Sequence, residues 1–333
     1  MNLFERRPSL VAVLWNSIQS VLVVVLIMIL GFVLRRQGWF DDKFGGTISK
    51  FIKNIALPAS IFVSVLSRLT RGQLVSFSGY LVYAFLAVII GYVIAFGLVR
   101  LMHVRPGRKG IFINAMVNAN TIFIGLPLNI ALFGDKSMTY FLVYYIVNTV
   151  STWAFGVFLI SNDDPTQPKE KHHNKIDWKK VIPMPLVGFL VALIFLLLNI
   201  PILKISFINS TLTYVGNLVT PLSLIYIGIV LADAGLKSIH FDRDTIVALL
   251  GRFVLSPVLM VGVLLAAGHF GATFPTLASQ TLIVQSATPM LAVLPILANE
   301  SHGDVEYATN VVTTSTVLFI IVVPILMSLI QFI

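Results

Sequence analysis

Two apolar stretches of this sequence carry more polar side chains than a lipid-facing helix tolerates, near residues 110 to 133 and 275 to 299. Amide and hydroxyl groups are neutral hydrogen-bond donors and acceptors. At membrane depth, such groups can hold a carboxylate without forming an ion pair. Seven of them, one from the neighbouring stretch 138 to 160, are the candidate substrate-binding residues. They are Asn118, Asn120, Thr121, Asn148, Gln285, Ser286 and Thr288.

The same two stretches contain residues that interrupt helices, namely Gly125, Pro127 and Pro289. Proline lacks an amide hydrogen, so each proline leaves the carbonyl four residues earlier without its helical partner. Unpaired backbone at membrane depth is tolerated only against protein or a water-filled cavity. We therefore predict breaks around residues 120 to 127 and 288 to 289. Simple kinking of two packed helices is the alternative.

The pair Thr288-Pro289 predicts the start of a second half-helix. Threonine is a favoured N-capping residue, and proline is favoured at the first helical position. A helix start directs free amide hydrogens and a partial positive charge at whatever lies before it. A carboxylate is the expected guest.

Ionisable residues inside the apolar stretches are few and basic. Every Asp and Glu falls at the end of a stretch or in a loop, whereas Lys50, Lys53 and Arg252 fall inside stretches. These three either extend to the cytoplasmic surface, as long basic side chains do, or form a positive lining on an anion's inward path. There is no cysteine, and the six histidines form no metal-binding spacing. We therefore expect neither a metal nor another cofactor.

The composition predicts an all-α integral membrane protein, because 57% of the residues are hydrophobic and 11% charged. A span needs about 20 apolar residues, so ten spans fit with short connections. They lie near residues 14 to 34, 45 to 67, 74 to 100, 110 to 133, 138 to 160, 181 to 199, 206 to 231, 245 to 268, 275 to 299 and 306 to 331.

A polar linker, residues 161–180, divides the chain into halves of five spans, residues 1–160 and 181–333. The halves share short motifs in the same order. Leu57-Pro58 matches Thr220-Pro221, and Gly125-Leu126-Pro127 matches Val293-Leu294-Pro295. Because five is an odd number, the second copy must enter the membrane with opposite topology, which is typical of the inverted repeats of secondary transporters.

The basic residues predict the orientation of the chain. Of 23 lysines and arginines, seventeen fall on the side of the linker and six on the other side. The positive-inside rule therefore puts the linker in the cytoplasm and both termini outside the cytoplasmic membrane. The net charge of +9 is explained in the same way and does not indicate a nucleic-acid partner.

The most specific segments are Ile283-Val284-Gln285-Ser286-Ala287-Thr288-Pro289 and residues 120 to 128, with the sequence NTIFIGLPL. On these segments, over nearly its whole length, the chain resembles the auxin efflux carrier family, which includes bacterial malate-permease-like members and the plant PIN carriers. The resemblance implies two inverted five-helix repeats and an elevator-type carrier, whose fourth and ninth helices break and cross at mid-membrane. It also implies an organic acid bound at the crossing, with Asn120 and Pro289 at the breaks. Ala119 stands where plant members have proline.

The expected function is a secondary transporter of small organic anions, either malate-like dicarboxylates or auxin-like monocarboxylates. An anion channel or a membrane receptor on the same scaffold is the alternative. An enzyme is not expected, because no histidine or acidic cluster could do acid-base or metal chemistry at depth. The expected partners are the organic anion and the lipid bilayer, and a homodimer is left open.

Overall fold

The computed structural model describes residues 10–166 and 184–330, so residues 167–180 of the predicted linker lie outside the described part. Within the described residues, the chain folds into helices and short connections, without a strand. The helices are α1 (Leu10–Arg36), α2 (Phe44–Arg68), α3 (Gln73–Leu101), α4 (Lys109–Val117), α5 (Thr121–Phe133), α6 (Asp135–Ser161), α7 (Met184–Leu198), α8 (Ser206–Ala234), α9 (Arg243–His269), α10 (Thr276–Ser286), α11 (Leu294–Glu300) and α12 (Val305–Ile330).

Seven of the described helices are long and apolar enough to cross a membrane, namely α1, α2, α3, α6, α8, α9 and α12. Two shorter apolar helices, α5 and α7, accompany them. The predicted fold class, an all-α multi-pass membrane protein, is confirmed at this level.

Helices α1 and α8 cross at very short range through two glycines. A β-carbon on Gly228 would lie 2.1 Å from the carbonyl oxygen of Met28, and one on Gly31 would lie 2.3 Å from that of Ile225. Small residues allow membrane helices to approach closely where no hydrophobic force drives them together. Helix α7 packs on α2 in a similar way, with Gly188 against Pro58.

Three prolines near membrane depth follow a π-helical turn. The turns Ile52–Ala56, Thr121–Gly125 and Gly251–Leu255 precede Pro58, Pro127 and Pro257 respectively. In a π turn each amide bonds to the carbonyl five residues earlier, which relieves the clash between the proline ring and the carbonyl four residues before it. At these prolines the helix therefore widens locally and continues.

Arg108 ties together the starts of α4, α9 and α12. Its guanidinium lies 2.7 Å from Asp242 and 2.8 Å from Asp304, and it stacks over the ring of Tyr307. Burial alone would raise the pKa of both carboxyl groups. The Thr245 hydroxyl and amide donate to Asp242, the Tyr307 amide and Arg105 donate to Asp304, and Arg108 donates to both carboxylates. Together these hydrogen bonds outweigh the effect of burial and hold each pKa below its ordinary 3.8.

Candidate functional site

Two interrupted helices, one from each half of the chain, meet in the interior. Helix α4 ends at Val117 and α5 begins at Thr121, while α10 ends at Ser286 and α11 begins at Leu294. The exposed backbone of one interruption pairs with that of the other. Ala119 and Met290 form an antiparallel bridge, and the Asn120 amide donates to the Pro289 carbonyl at 2.8 Å. This crossing satisfies backbone groups that lipid could not.

The positions of the interruptions differ from the prediction in two respects. Gly125 and Pro127 lie in α5, after the interruption, because the π turn of α5 accommodates Pro127. Pro289 lies within the second interruption, but it does not begin a helix there. The predicted half-helix start at Thr288-Pro289 is wrong. The Thr288 hydroxyl instead donates to the Gln285 carbonyl at 2.9 Å, so it closes the end of α10.

Asn148 and Asn118 fix the first interruption. Asn148 accepts from the Ala119 amide at 2.8 Å through Oδ1 and donates to the Ala119 carbonyl at 2.9 Å through Nδ2. Asn118 donates to Tyr92 and accepts from Ser151 at 2.5 Å. Both side chains are buried, and both of their amide heavy atoms are used within the protein. Their first role is therefore to hold the backbone of the crossing in place.

Asn120 and Gln285 keep hydrogen-bonding groups in reserve. Asn120 is the N-cap of α5, accepting from the Phe123 amide at 3.2 Å, while its buried Nδ2 has no partner. Gln285 donates to the Gly125 carbonyl at 2.9 Å, while its buried Oε1 has no partner. A buried amide left unpaired is unfavourable by about 1 to 3 kcal/mol. The two halves of the chain thus contribute one free donor and one free acceptor beside the crossing.

Thr121 and Ser286 flank these groups. The Thr121 hydroxyl accepts from Asn148 at 3.4 Å, and the Ser286 hydroxyl donates to the Ile283 carbonyl at 2.7 Å. Both residues are buried at the crossing. All seven predicted binding residues are therefore brought together, although only Asn120 and Gln285 have free polar atoms among them.

The three basic candidates do not share one environment. Lys50 is exposed and Lys53 half-buried on α2, whereas Arg252 on α9 has an exposure of 0%. Arg252 donates to the Ser286 carbonyl and, at 2.7 Å, to the Ser256 hydroxyl. Extension of Arg252 to the cytoplasmic surface is therefore excluded, and its charge lies beside the end of α10.

A cavity of about 380 Å³ lies between α2, α5, α6 and α8, which is within the usual size range of small-molecule sites. Leu126, one residue after Gly125, lines it. Arg68 also lines it and lies 3.7 Å from Asp135. Six neutral polar residues line the cavity as well: Ser60, Ser64, Ser67, Thr213, Asn217 and Thr220. The sequence reasoning missed them, although their spacing of four and three residues on each helix was a readable signal.

Comparison with known proteins gives matches over nearly the whole chain. Residues 16–327 match a family model described as "Membrane transport protein". An "uncharacterized transporter" of Methanothermobacter thermautotrophicus is 24% identical over 314 residues, which cover 93% of this chain and 97% of that protein. An "uncharacterized transporter" of Methanocaldococcus jannaschii is 21% identical over 304 residues, covering 91% and 95% respectively.

Proposed function

This chain belongs to the membrane transport protein family, the auxin efflux carrier family that its motifs resemble, and from that premise we propose that it is a secondary carrier of small organic anions. Two relatives that match nearly the whole chain are described as transporters, which favours transport over enzymatic activity. The carrier binds its substrate at the crossing, and Asn120 and Gln285 provide the free hydrogen-bonding groups.

The observation that carries this proposal is the composition of the crossing. Gln285, whose Oε1 is free, directly precedes Ser286, whose carbonyl accepts from the completely buried guanidinium of Arg252, and among the described residues no other basic side chain is buried. The buried carboxylate of the described part, Asp164, lies in the turn that follows α6 and contacts His302. A net positive interior, together with the free donor of Asn120, favours an anionic guest over a cationic one.

The proposed architecture is ten membrane helices in two inverted repeats. Helices α4 and α5 together form the fourth, and α10 and α11 together form the ninth. The interruption of one helix in each half, in the same order along the chain, supports this arrangement. The linker is cytoplasmic and both termini are outside the cytoplasmic membrane, with Lys50 and Lys53 on the inward path.

Elevator-type movement is proposed because the crossing is bonded within one group of helices. Side chains of α3, α6, α9 and α12 hydrogen-bond to the crossing segments or their flanks. Towards α8, by contrast, the contact is between rings, with Phe123 against Tyr226 at 4.5 Å. The cavity of about 380 Å³ between α2, α5, α6 and α8 lies along this contact with α8, and it gives the substrate access to the crossing.

The test is uptake of radiolabelled organic acids by proteoliposomes that contain the purified chain. A carrier gives saturable uptake and counterflow, in which unlabelled acid inside accelerates entry of labelled acid. An anion channel, the alternative, conducts without counterflow, and a receptor binds without moving its ligand. Lack of counterflow for every acid that stabilises the protein would end the carrier proposal.

A further inference from the structure

The end of α10 carries an unusual neighbour for a helix terminus at membrane depth. Ser286 is the last residue of α10, and its carbonyl accepts a hydrogen bond from the Nη2 atom of Arg252. The same nitrogen donates to the Ser256 hydroxyl, one turn further along α9. The guanidinium is thus held by a backbone carbonyl and a hydroxyl.

A buried positive charge is very unfavourable unless it is neutralised. In the described part of the chain, no carboxylate lies within ion-pair distance of Arg252. The C-terminal end of a helix, however, bears a partial negative charge of about half an electron, from carbonyls without helical partners. The interruption after Ser286 creates such an end in the interior, and Arg252 neutralises it.

Carbonyl and hydroxyl oxygens at the end of an interrupted helix are also the ligands that secondary transporters use for coupling cations. We propose that Arg252 is a resident cation, a covalently attached substitute for a bound monovalent cation at the end of α10. The site is filled by the chain itself and needs no ion from solution.

The surroundings of Arg252 exclude a role as the substrate-binding group. The adjoining cavity, lined by Tyr144, Ser256 and Ser286, measures about 10 Å³. That is the room of roughly one water molecule. The Nε and Nη1 atoms of Arg252 have no hydrogen-bond partner among the described residues, and the neutral Tyr144 hydroxyl lies beside the guanidinium. An organic anion does not fit there, whereas a small cation would fit once the guanidinium is removed.

The corresponding end of α4 supports this assignment by contrast. There Asn118 is surrounded by the Tyr92 hydroxyl, the Asn114 amide oxygen and the Ser151 hydroxyl, all of them neutral. The motif match between Gly125-Leu126-Pro127 and Val293-Leu294-Pro295 aligns Asn118 with Ser286. One helix end is therefore stabilised by neutral groups and the other by a full charge.

The test measures the melting temperature of the purified full chain at equal ionic strength in choline, sodium, potassium and low guanidinium chloride. The wild type should give the same value in each salt. Arg252→Ala should melt several degrees lower in choline, and guanidinium or sodium should restore most of the loss with a saturating dependence. Arg252→Lys should stay near the wild type, and Arg252→Gln should resemble Arg252→Ala. Arg243→Gln, at the exposed start of the same helix, controls for loss of one positive charge.

Three results would overturn the proposal. The first is an Arg252→Gln protein as stable as the wild type, and the second is an Arg252→Ala deficit that no small cation reduces. The third needs no variant, so it decides the matter even if the substitutions prevent folding: saturable stabilisation of the wild type by sodium over choline.

A further consequence rests on the proposed carrier function: wild-type uptake should be unchanged when choline replaces sodium. The melting experiment contains no substrate, so the two ideas can fail separately. Cation rescue without transport of any acid would leave the resident cation and remove the carrier. Transport without cation rescue would do the reverse.

Discussion

Replacement of Asn120 by aspartate separates the two roles of this side chain. Its Oδ1 caps α5 by accepting from the Phe123 amide, and its Nδ2 is the free donor at the crossing. Asn120→Asp keeps a capping oxygen, because aspartate and asparagine are equally good N-caps. It removes the donor and places a negative charge where we expect the substrate carboxylate. Asn120→Ala removes both functions.

The expected magnitudes differ for folding and for binding. Loss of the cap in Asn120→Ala should lower the free energy of unfolding by about 1 kcal/mol. Asn120→Asp keeps the cap but buries a carboxylate that has no cationic partner among the described residues, so it should lower the free energy of unfolding further. Loss of a hydrogen bond to a charged group should weaken binding by about 1.5 to 3 kcal/mol in both variants. That is roughly a ten-fold to hundred-fold higher Kd, and repulsion between like charges should make Asn120→Asp the weaker binder.

The assay combines thermal unfolding and transport. Melting with and without each organic acid measures ligand stabilisation, which falls as Kd rises. Counterflow in proteoliposomes then measures transport of the acid that stabilises the wild type most. Asn299→Asp is the matched control, since Asn299 is an exposed asparagine in α11, away from the crossing. It should behave like the wild type in both measurements.

The reasoning would be refuted if Asn120→Asp transported the same acid with the Km and maximal rate of the wild type. The donor at the crossing would then have no part in recognition. A second combination of results would also refute it: Asn120→Asp no longer transports the acid but transports an organic cation, while Asn120→Ala transports the acid as well as the wild type does. Recognition would then depend on the introduced charge and not on the donor of Asn120.

Three further substitutions have effects that follow from contacts. Gly125→Ala should abolish most uptake while the protein still folds, because its β-carbon would lie 2.4 Å from Gln285 Oε1 and displace that side chain. Gly228→Ala should instead reduce the yield of folded protein, because it separates α1 from α8, and Gly97→Ala, with open space around it, is the control for both. Arg108→Ala should lower stability at neutral pH by at least about 1.5 kcal/mol, and Arg100→Ala should not. The carboxyl partners of Arg108, Asp242 and Asp304, have pKa values below 3.8. The wild type therefore keeps the stabilisation by Arg108 above pH 3.8 and loses it as the pH falls further, so the melting temperatures of the wild type and Arg108→Ala should converge in acid.

The existence of an interruption in each half could be predicted from the sequence, but the residues at which each helix ends and restarts could not. Polar residues at membrane depth and two sets of prolines were sufficient to predict an interruption in each half. The exact positions were not predictable from proline alone, because a π turn can relieve the clash that would otherwise end the helix at Pro127. Whether the helix ends before Pro127 depends on whether the freed backbone finds a partner outside the helix. The backbone of Ala119 finds one in Met290, which lies in the other half of the chain.

Two other features depended on contacts between distant segments. Asn118 and Asn148 are of a residue type that often binds ligands. In the structure, however, Asn148 bonds to the backbone of Ala119 and Asn118 bonds to the Ser151 side chain. Arg252 lies near enough to a helix end for its side chain to reach the surface, yet it is completely buried. In both cases the partner is distant in sequence, so residue type and spacing could not decide between the two readings.

The distribution of polar contacts gives a physical reason why the crossing would move as one body. Hydrogen bonds from Asn148 and Ser315 clamp its two backbone segments to α6 and α12, and Arg252 links its α10 end to α9. Shifting one of these helices alone would leave buried polar groups unpaired at about 1 to 3 kcal/mol each. Towards α8, the contact of Phe123 with Tyr226 is non-directional and can re-form at another height. Movement of the bonded group past α8 would keep these hydrogen bonds, and a bond to be released is that from the Ser20 hydroxyl of α1 to the Ala131 carbonyl of α5. In the proposed elevator mechanism, the substrate would travel with the crossing, because Asn120 and Gln285 belong to the group that would move.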